Sequence, residues 1–260
     1  MFTINFIKFK SALLFIPFLS FYTFTNSLSN IDYDFQLNQK SAISKPLLAQ
    51  TKQQDWFQTP HASIYGYNNS LLIAQVVNAT LDQVAFTSFE SDDKGYWNYS
   101  GTVIKPTAGL VPGKTGNNYY SLSSGAITRS NLPAGRYIIS YWTIGSSSIS
   151  TITISGTNLS IIRQKRYAYV GNYTFYEHIV SLSATGSVTL SGPANVDEVR
   201  LHPEIADMIT YTYSPLVGKT SQTDANGRTI YYEYDEFNRL QYIKDQEGNI
   251  IKRVTYVFKS

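Results

Sequence analysis

The chain has 260 residues, of which 43% are apolar and 15% aromatic but only 15% charged, and its formal charge is +3. So small a balance, spread over scattered Lys and Arg, gives no electrostatic footprint for nucleic acid. The absence of cysteine excludes disulfides, thiolate metal sites and cysteine nucleophiles, and the three histidines, His61, His178 and His202, lack the mutual spacing of a metal centre.

The first elements are not globular. Lys8 and Lys10 precede an uncharged apolar run from Ala12 to Phe24, and small polar residues follow up to Asn30. A positive start, a short apolar stretch and Ser27-x-Ser29 read as a signal for export over residues 1–29. The run is short for a membrane span, which needs about 20 apolar residues, and an uncleaved anchor is the alternative to a cleaved export signal. Residues 30–61 are rich in Gln, Lys and Ser without sustained period and read as a linker. Residues 62–80 form a strand pair about Asn68-Asn69.

From 81 to 203 the pattern is all-β. Segments such as RYIISYWTI, STITISG, YTFYEHIVSLS and VDEVRLHP are separated by Gly, Pro, Asn and Ser clusters. Ile152 and Ile154, like Val188 and Leu190, alternate with Ser and Thr, which marks half-buried strands. Seven or eight such strands predict a β-sandwich.

After Met208 the sequence repeats. Tyr211 overlays Tyr232, Tyr213 overlays Tyr234, Asp224 overlays Asp245 and Gly227 overlays Gly248. TYTY and YYEY read as strands whose i, i+2 tyrosines share a face. DANG and DQEG read as turns, with Asp bonding the backbone ahead and Gly taking positive φ. In EFNR, Asn238 tolerates the left-handed conformation. The expectation is a set of hairpins whose rings shelter against the preceding two-layer sheet. Glu233 and Asp235 then fall on the opposite face, in solvent, with Arg239 available to pair.

These last residues resemble the YD repeats of RHS proteins, Tyr-Asp-x-x-Gly-Arg-Leu followed by Asp-x-x-Gly-Asn. Tyr234, Asp235, Arg239 and Leu240 fit the first half, and Asp245, Gly248 and Asn249 the second, with Asn238 in place of glycine. The unit from Tyr211 fits more loosely. The resemblance covers residues 208–260 as two repeats. It implies hairpins of the kind that elsewhere wind into a shell around a toxin or line a large surface protein. Residues 81–203 resemble galactose-binding-like jelly rolls, through AFTSFESDDKGYWNYSG, LPAGRYIISYWT and ANVDEVRLHP. That second resemblance implies a structural calcium held by Glu90 and Asp197, and sugar binding on exposed rings. Tyr119 and Tyr120, in a Gly- and Asn-rich stretch, are the candidate platforms, whereas Trp97 and Trp142 read as core.

Catalytic motifs are missing: there is no GxSxG, no Walker loop and no dinucleotide fingerprint. GKT at 113–115 and at 218–220 lacks the preceding glycine of a phosphate loop, and both copies read as turns. The expected protein is therefore a jelly-roll sandwich followed by a short YD-repeat hairpin sheet, without catalytic residues or a nucleotide cofactor. It is secreted or held at the cell surface, and its partner is a glycan or another surface protein. A carbohydrate-binding module and a degenerate fragment of a larger RHS protein stand as alternatives.

Overall fold

The computed structural model describes residues 59–144 and 152–257. The expected signal, and nearly all of the expected linker, lie outside them.

The described residues are all-β. A seven-stranded antiparallel ribbon runs in the order β1 (His61–Gly66), β2 (Leu71–Val77), β13 (Asp207–Ser214), β14 (Gly218–Thr223), β15 (Thr229–Tyr234), β16 (Leu240–Lys244) and β17 (Ile250–Arg253). Between β2 and β13 the chain builds a β-sandwich. Its larger sheet has the order β4 (Val103–Ile104), β5 (Tyr119–Ser121), β12 (Asn195–Pro203), β7 (Gly135–Ile144), β10 (Tyr173–Leu182) and β9 (Leu159–Val170), with β3 (Ala85–Thr87) also on β12. The smaller sheet is β6 (Ile127–Leu132), β11 (Gly186–Ser191) and β8 (Thr153–Ser155).

The sandwich core follows from alternation. Ile152 and Ile154, Val188 and Leu190, and Tyr137, Ile139 and Tyr141 each occupy one face of their strand, and all are buried together. Every such aliphatic side chain removed from water contributes about 1.5–3 kcal/mol. Trp97 is part of this core, its indole N–H donating to the carbonyl of Val199 at 3.1 Å. Two strands escape the sequence reading. β6, written ITRSNL, is too polar to read as a strand, and YYS of β5 sits in a loop-like context. Conversely, much of YWNYSGTVI is irregular, with only β4 and an isolated bridge from Asn98 to Thr128.

The hairpin that precedes the sandwich belongs to the ribbon that follows it. Val77 pairs with Asp207 and Ala74 with Thr210, so residues 78–206 leave and return between adjacent strands. The sandwich is thus an insertion in a continuous repeat sheet. One tyrosine clasp recurs along that sheet. The hydroxyl of Tyr213 donates to the carbonyl of Leu72 at 2.9 Å, that of Tyr234 to Lys219 at 2.8 Å, and that of Tyr256 to Leu240 at 3.0 Å. Tyr213 of β13 and Tyr234 of β15 each reach the preceding strand of the sheet, and Tyr256, just beyond the end of β17, reaches β16.

The turns form as their residues dictate. Asp224 Oδ1 accepts the amides of Asn226 and Arg228, Asp235 Oδ1 those of Phe237 and Arg239, and Asp245 Oδ1 those of Glu247 and Asn249. Gly227, Asn238 and Gly248 supply the positive φ at 76°, 58° and 90°. The second GKT, at 218–220, opens β14 and is a strand rather than a turn.

Candidate functional site at the seam

The ribbon turns one face toward the sandwich, and the alternation of β13 decides which. Met208, Thr210 and Thr212 are buried, while Tyr211 and Tyr213 lie on the other face, half-buried. The expectation that the tyrosines shelter against the sandwich is therefore corrected. Short hydroxyl side chains let the layers approach and bond across the gap, whereas the rings find their hydroxyl partners along the ribbon. On that outer face the Lys219 ammonium lies 5.0 Å from the Tyr211 ring centroid and 4.8 Å from that of Tyr232. Burial and the neighbouring tyrosines push the Tyr213 hydroxyl up to about 12.

One end of the seam is apolar: Ala62, Ile64, Ala74, Val76 and Met208 of the ribbon pack with Val84 and Phe86 of the sandwich. The other end is polar and equally dry. Arg200, 2% exposed, donates from Nη2 to Glu198 Oε1 at 2.8 Å and from Nη1 to the carbonyl of Asp224 at 2.8 Å. Thr210 bridges the pair, accepting from Arg200 Nη2 at 2.6 Å and donating to Glu198. Thr212, Ser221, Thr223 and Thr229 continue as a hydroxyl ladder, with Thr212 to Ser221 at 2.6 Å and Thr223 to Thr229 at 3.0 Å. Every hydroxyl of that run has a partner, which is the condition for burying it without loss.

Beside the ion pair lies a caged lysine. Lys114 is 3% exposed, and its ammonium sits 4.6 Å from the ring centroid of Trp142, 5.4 Å from Tyr173 and 5.6 Å from Tyr231. The first two rings come from the sandwich and the third from the ribbon, so the cation–π cage spans the seam. Burial lowers the ammonium to about 8, against the opposing charges of Glu247, Asp197 and Glu198. Tyr231 also donates its hydroxyl to the Lys114 carbonyl at 2.8 Å. Trp142 is buried as expected, but on the outer face of the larger sheet beneath the ribbon. The sequence signals for Lys114 and Arg200 are weak: one stands in GKT at 113–115, which reads as a turn, the other in VDEVRLHP, which reads only as a strand.

Of the expected site residues, Tyr120 is fully buried. Its ring stacks on Phe89 at 5.3 Å and its hydroxyl accepts the Gly101 amide at 2.9 Å, so the reading of it as an exposed sugar platform is corrected. Tyr119, its neighbour on β5, is half-buried on the opposite face. Glu90 and Asp197 clasp the same loop, 113–118. Glu90 Oε1 accepts the amides of Asn117 and Asn118, while Asp197 accepts the Thr115 amide at 2.8 Å and the Glu198 amide at 2.6 Å. Burial and then the adjacent Glu198 carboxylate hold the Asp197 carboxyl well above its usual range. Calcium needs six to eight oxygens about one point. Among the described residues no group of three or more His, Cys, Asp or Glu side chains has that arrangement, and these two carboxylates are engaged by amides instead. As placed, they do not fit the ion and serve to anchor the loop.

The repeat residues come together. Asp235 pairs with Arg239 at 2.7 Å, and that hydrogen-bonded guanidinium holds the carboxyl below its usual range. Glu233 is exposed on the face opposite Tyr232 and Tyr234, as expected, and pairs there with Lys244 at 2.6 Å. Leu240 opens β16 opposite Tyr234.

No protein-family model matches the chain, and no curated protein matches it.

Proposed function

We propose that the chain is an exported, non-enzymatic structural and interaction protein of the YD-repeat type, in which a repeat ribbon displays an inserted sandwich. The observation that carries this reading is the recurrence of one tyrosine clasp at three positions along a sheet that continues through the insertion. A surface built by reiterating a bond is one that extends by adding strands. Among the described residues β17 is an edge of the ribbon and carries Ile250 and Ile251, 52% and 57% exposed. Such an edge invites pairing with another chain. Two measurements test the reading. Cell fractionation should place the folded protein outside the cytoplasm. Size-exclusion chromatography with light scattering should show association that grows with concentration and falls when Ile251→Lys charges the edge. A clean monomer at high concentration argues against strand addition, and retention in the cytoplasm argues against the surface role.

A further inference from the structure

In the larger sheet β9 is an edge: among the described residues it pairs with β10 alone. From Ser160 to Arg166 every side chain is exposed, whichever face it takes. Such a strand offers a row of unused backbone N–H and C=O groups, and its side chains decide what that row accepts.

The register with β10 sorts those side chains. Arg163 stands opposite Ile179 and Lys165 opposite Glu177, so both cations share the outer face with Tyr167, whose ring packs on Phe175 at 5.2 Å. Ile161, Gln164 and Arg166, opposite Val180, His178 and Tyr176, take the inner side. Glu177 lies 3.4 Å from Arg163 Nη2 and also accepts the Tyr167 hydroxyl at 3.2 Å. The Lys165 ammonium sits 4.2 Å from the Tyr167 ring centroid. Among the described residues neither Lys165 nor Arg166 pairs with a carboxylate. Three cations thus face one neighbouring anion, beside Ile161 and Ile162, each 50% exposed, and Tyr169, 44% exposed.

Like charges repel a second copy of β9, which guards the edge against its own kind. The partner they favour is an extended segment with carboxylates at i, i+2 and an apolar opposite face. The sequence holds one in the stretch read as a linker: Ile31, Asp32, Tyr33, Asp34 and Phe35. A similar alternation, from Tyr232 to Asp235, is already flanked by β14 and β16. Phe35 stands about 24 residues before Thr59, a reach of up to about 80 Å, so β9 meets its own segment at higher effective concentration than a neighbour's.

We propose that residues 31–35 add to β9 of the same molecule as a further strand of the larger sheet. Asp32 and Asp34 lie beside Arg163 and Lys165 on the outer face, and Ile31, Tyr33 and Phe35 continue the inner one beside Ile161 and Tyr169. The inference concerns the sandwich edge and stands whether or not the ribbon associates through β17.

The chain has no cysteine, so two introduced thiols are the only ones present. In the full chain, Tyr33→Cys is combined in turn with Ile161→Cys, Gln164→Cys and Arg166→Cys on the inner side, and with Glu236→Cys on a ribbon turn as control. Under mild oxidation at least one of the first three should form an intramolecular disulfide, seen as faster migration without reductant, and the control none. Arg163→Glu with Lys165→Glu should lower that yield about tenfold. Adding Asp32→Lys with Asp34→Lys should restore it. The Arg163 side chain is 58% exposed, and thermal melting verifies that the charge variants fold. No disulfide at the three positions, equal disulfide in the control, or linked dimers in place of monomers overturns the proposal. So does a yield that ignores the charge reversal or is not restored by the exchange.

Discussion

Between its own two sheets the sandwich buries Ile, Leu, Val and tyrosine rings; between sandwich and ribbon the chain buries Arg200, Glu198, Lys114 and a ladder of threonines. Both layers are dry, and they hold by different means. In the core any side chain of the right volume does nearly the same work, because burial is non-directional. At the seam each group depends on one partner. A one-residue slip of β13 would put Ile209 or Tyr211 where Thr210 meets Arg200, leaving a charge without its bond. The core makes the sandwich stable; the seam fixes where the ribbon sits on it.

The strongest way to break that comparison is to remove one member of the ion pair. Arg200→Met leaves the Glu198 carboxylate buried at 1% exposure and should cost about 3–5 kcal/mol in urea denaturation. Adding Glu198→Gln, which removes the stranded charge, should restore a large part of that. Leu201→Ala, one residue along on the core side, should cost about 2–5 kcal/mol and gain nothing from Glu198→Gln. A cost for Arg200→Met below about 1 kcal/mol, the range of solvated pairs, would mean the seam is not held by pairing.

Acid separates the layers next, because each contains a histidine. His178 is stacked on Tyr141 and bonded to its hydroxyl at 2.7 Å; His202, beside Arg200 on the seam face, has Nδ1 donating to the Pro203 carbonyl at 2.9 Å. Burial lowers both from 6.5 to about 4. The unfolded chain therefore binds more protons between those values, so their contribution is complete above pH 6.5 and is lost as pH falls toward 4. At about 1.4 kcal/mol per pH unit, each supplies on the order of 3 kcal/mol of pH dependence. Asp197, whose carboxyl is raised, acts with the opposite sign and gains from protonation as pH falls. The difference between wild type and His178→Gln, or His202→Gln, isolates each histidine. Stability curves from pH 7 to 4 that run parallel for wild type and variant would refute the assignment.

Two repeat-equivalent glycines sharpen the comparison further. Gly227 and Gly248 both have positive φ, so alanine at either costs about 1–2 kcal/mol from the left-handed backbone. A Cβ on Gly227 would also stand 2.8 Å from the Phe175 ring, whereas one on Gly248 meets nothing within 4 Å. Gly227→Ala should exceed Gly248→Ala by about 2 kcal/mol, and the excess should vanish in a Phe175→Leu background. Equal costs would place the turn clear of the sandwich.

How much of this could be read from the residues depends on the range of the bond that makes each feature. Turns are local, and Asp224, Asn238 and Gly248 announced them because the side chain and the φ belong to the same few residues. Ile152, Ile154, Val188 and Leu190 announced the sandwich through alternation, which is also local. What was not legible is the contact between distant segments. Nothing near Leu71 says that β2 pairs with β13, and the alternation of TYTY is symmetric between its rings and its threonines. The bulkier face was the natural choice for burial, yet Arg200, ten residues upstream, needed the hydroxyl of Thr210. Tyr120 misled for the same reason: its loop-like neighbours are local, while Phe89 and Tyr99, which enclose it, come from elsewhere in the chain.

The smallest effect concerns the clasp. Tyr213→Phe, Tyr234→Phe and Tyr256→Phe each delete one hydroxyl-to-carbonyl bond and keep the ring, at about 1 kcal/mol where the site is dry and less where water can replace the lost donor. Tyr256 is 38% exposed, and Tyr213 is half-buried with its hydroxyl raised to about 12. The cost should therefore fall toward the β17 end, Tyr213 above Tyr256. Tyr213 carries a second contact, an edge-on ring packing with Tyr67 at 5.8 Å, which the phenylalanine retains and alanine would lose. Hydrogen exchange gives the finer reading: each variant should speed exchange in its own hairpin before the sandwich responds. If all three variants loosen the molecule uniformly, the clasps are not separate repeat units, and the ribbon folds as one piece with the sandwich it carries.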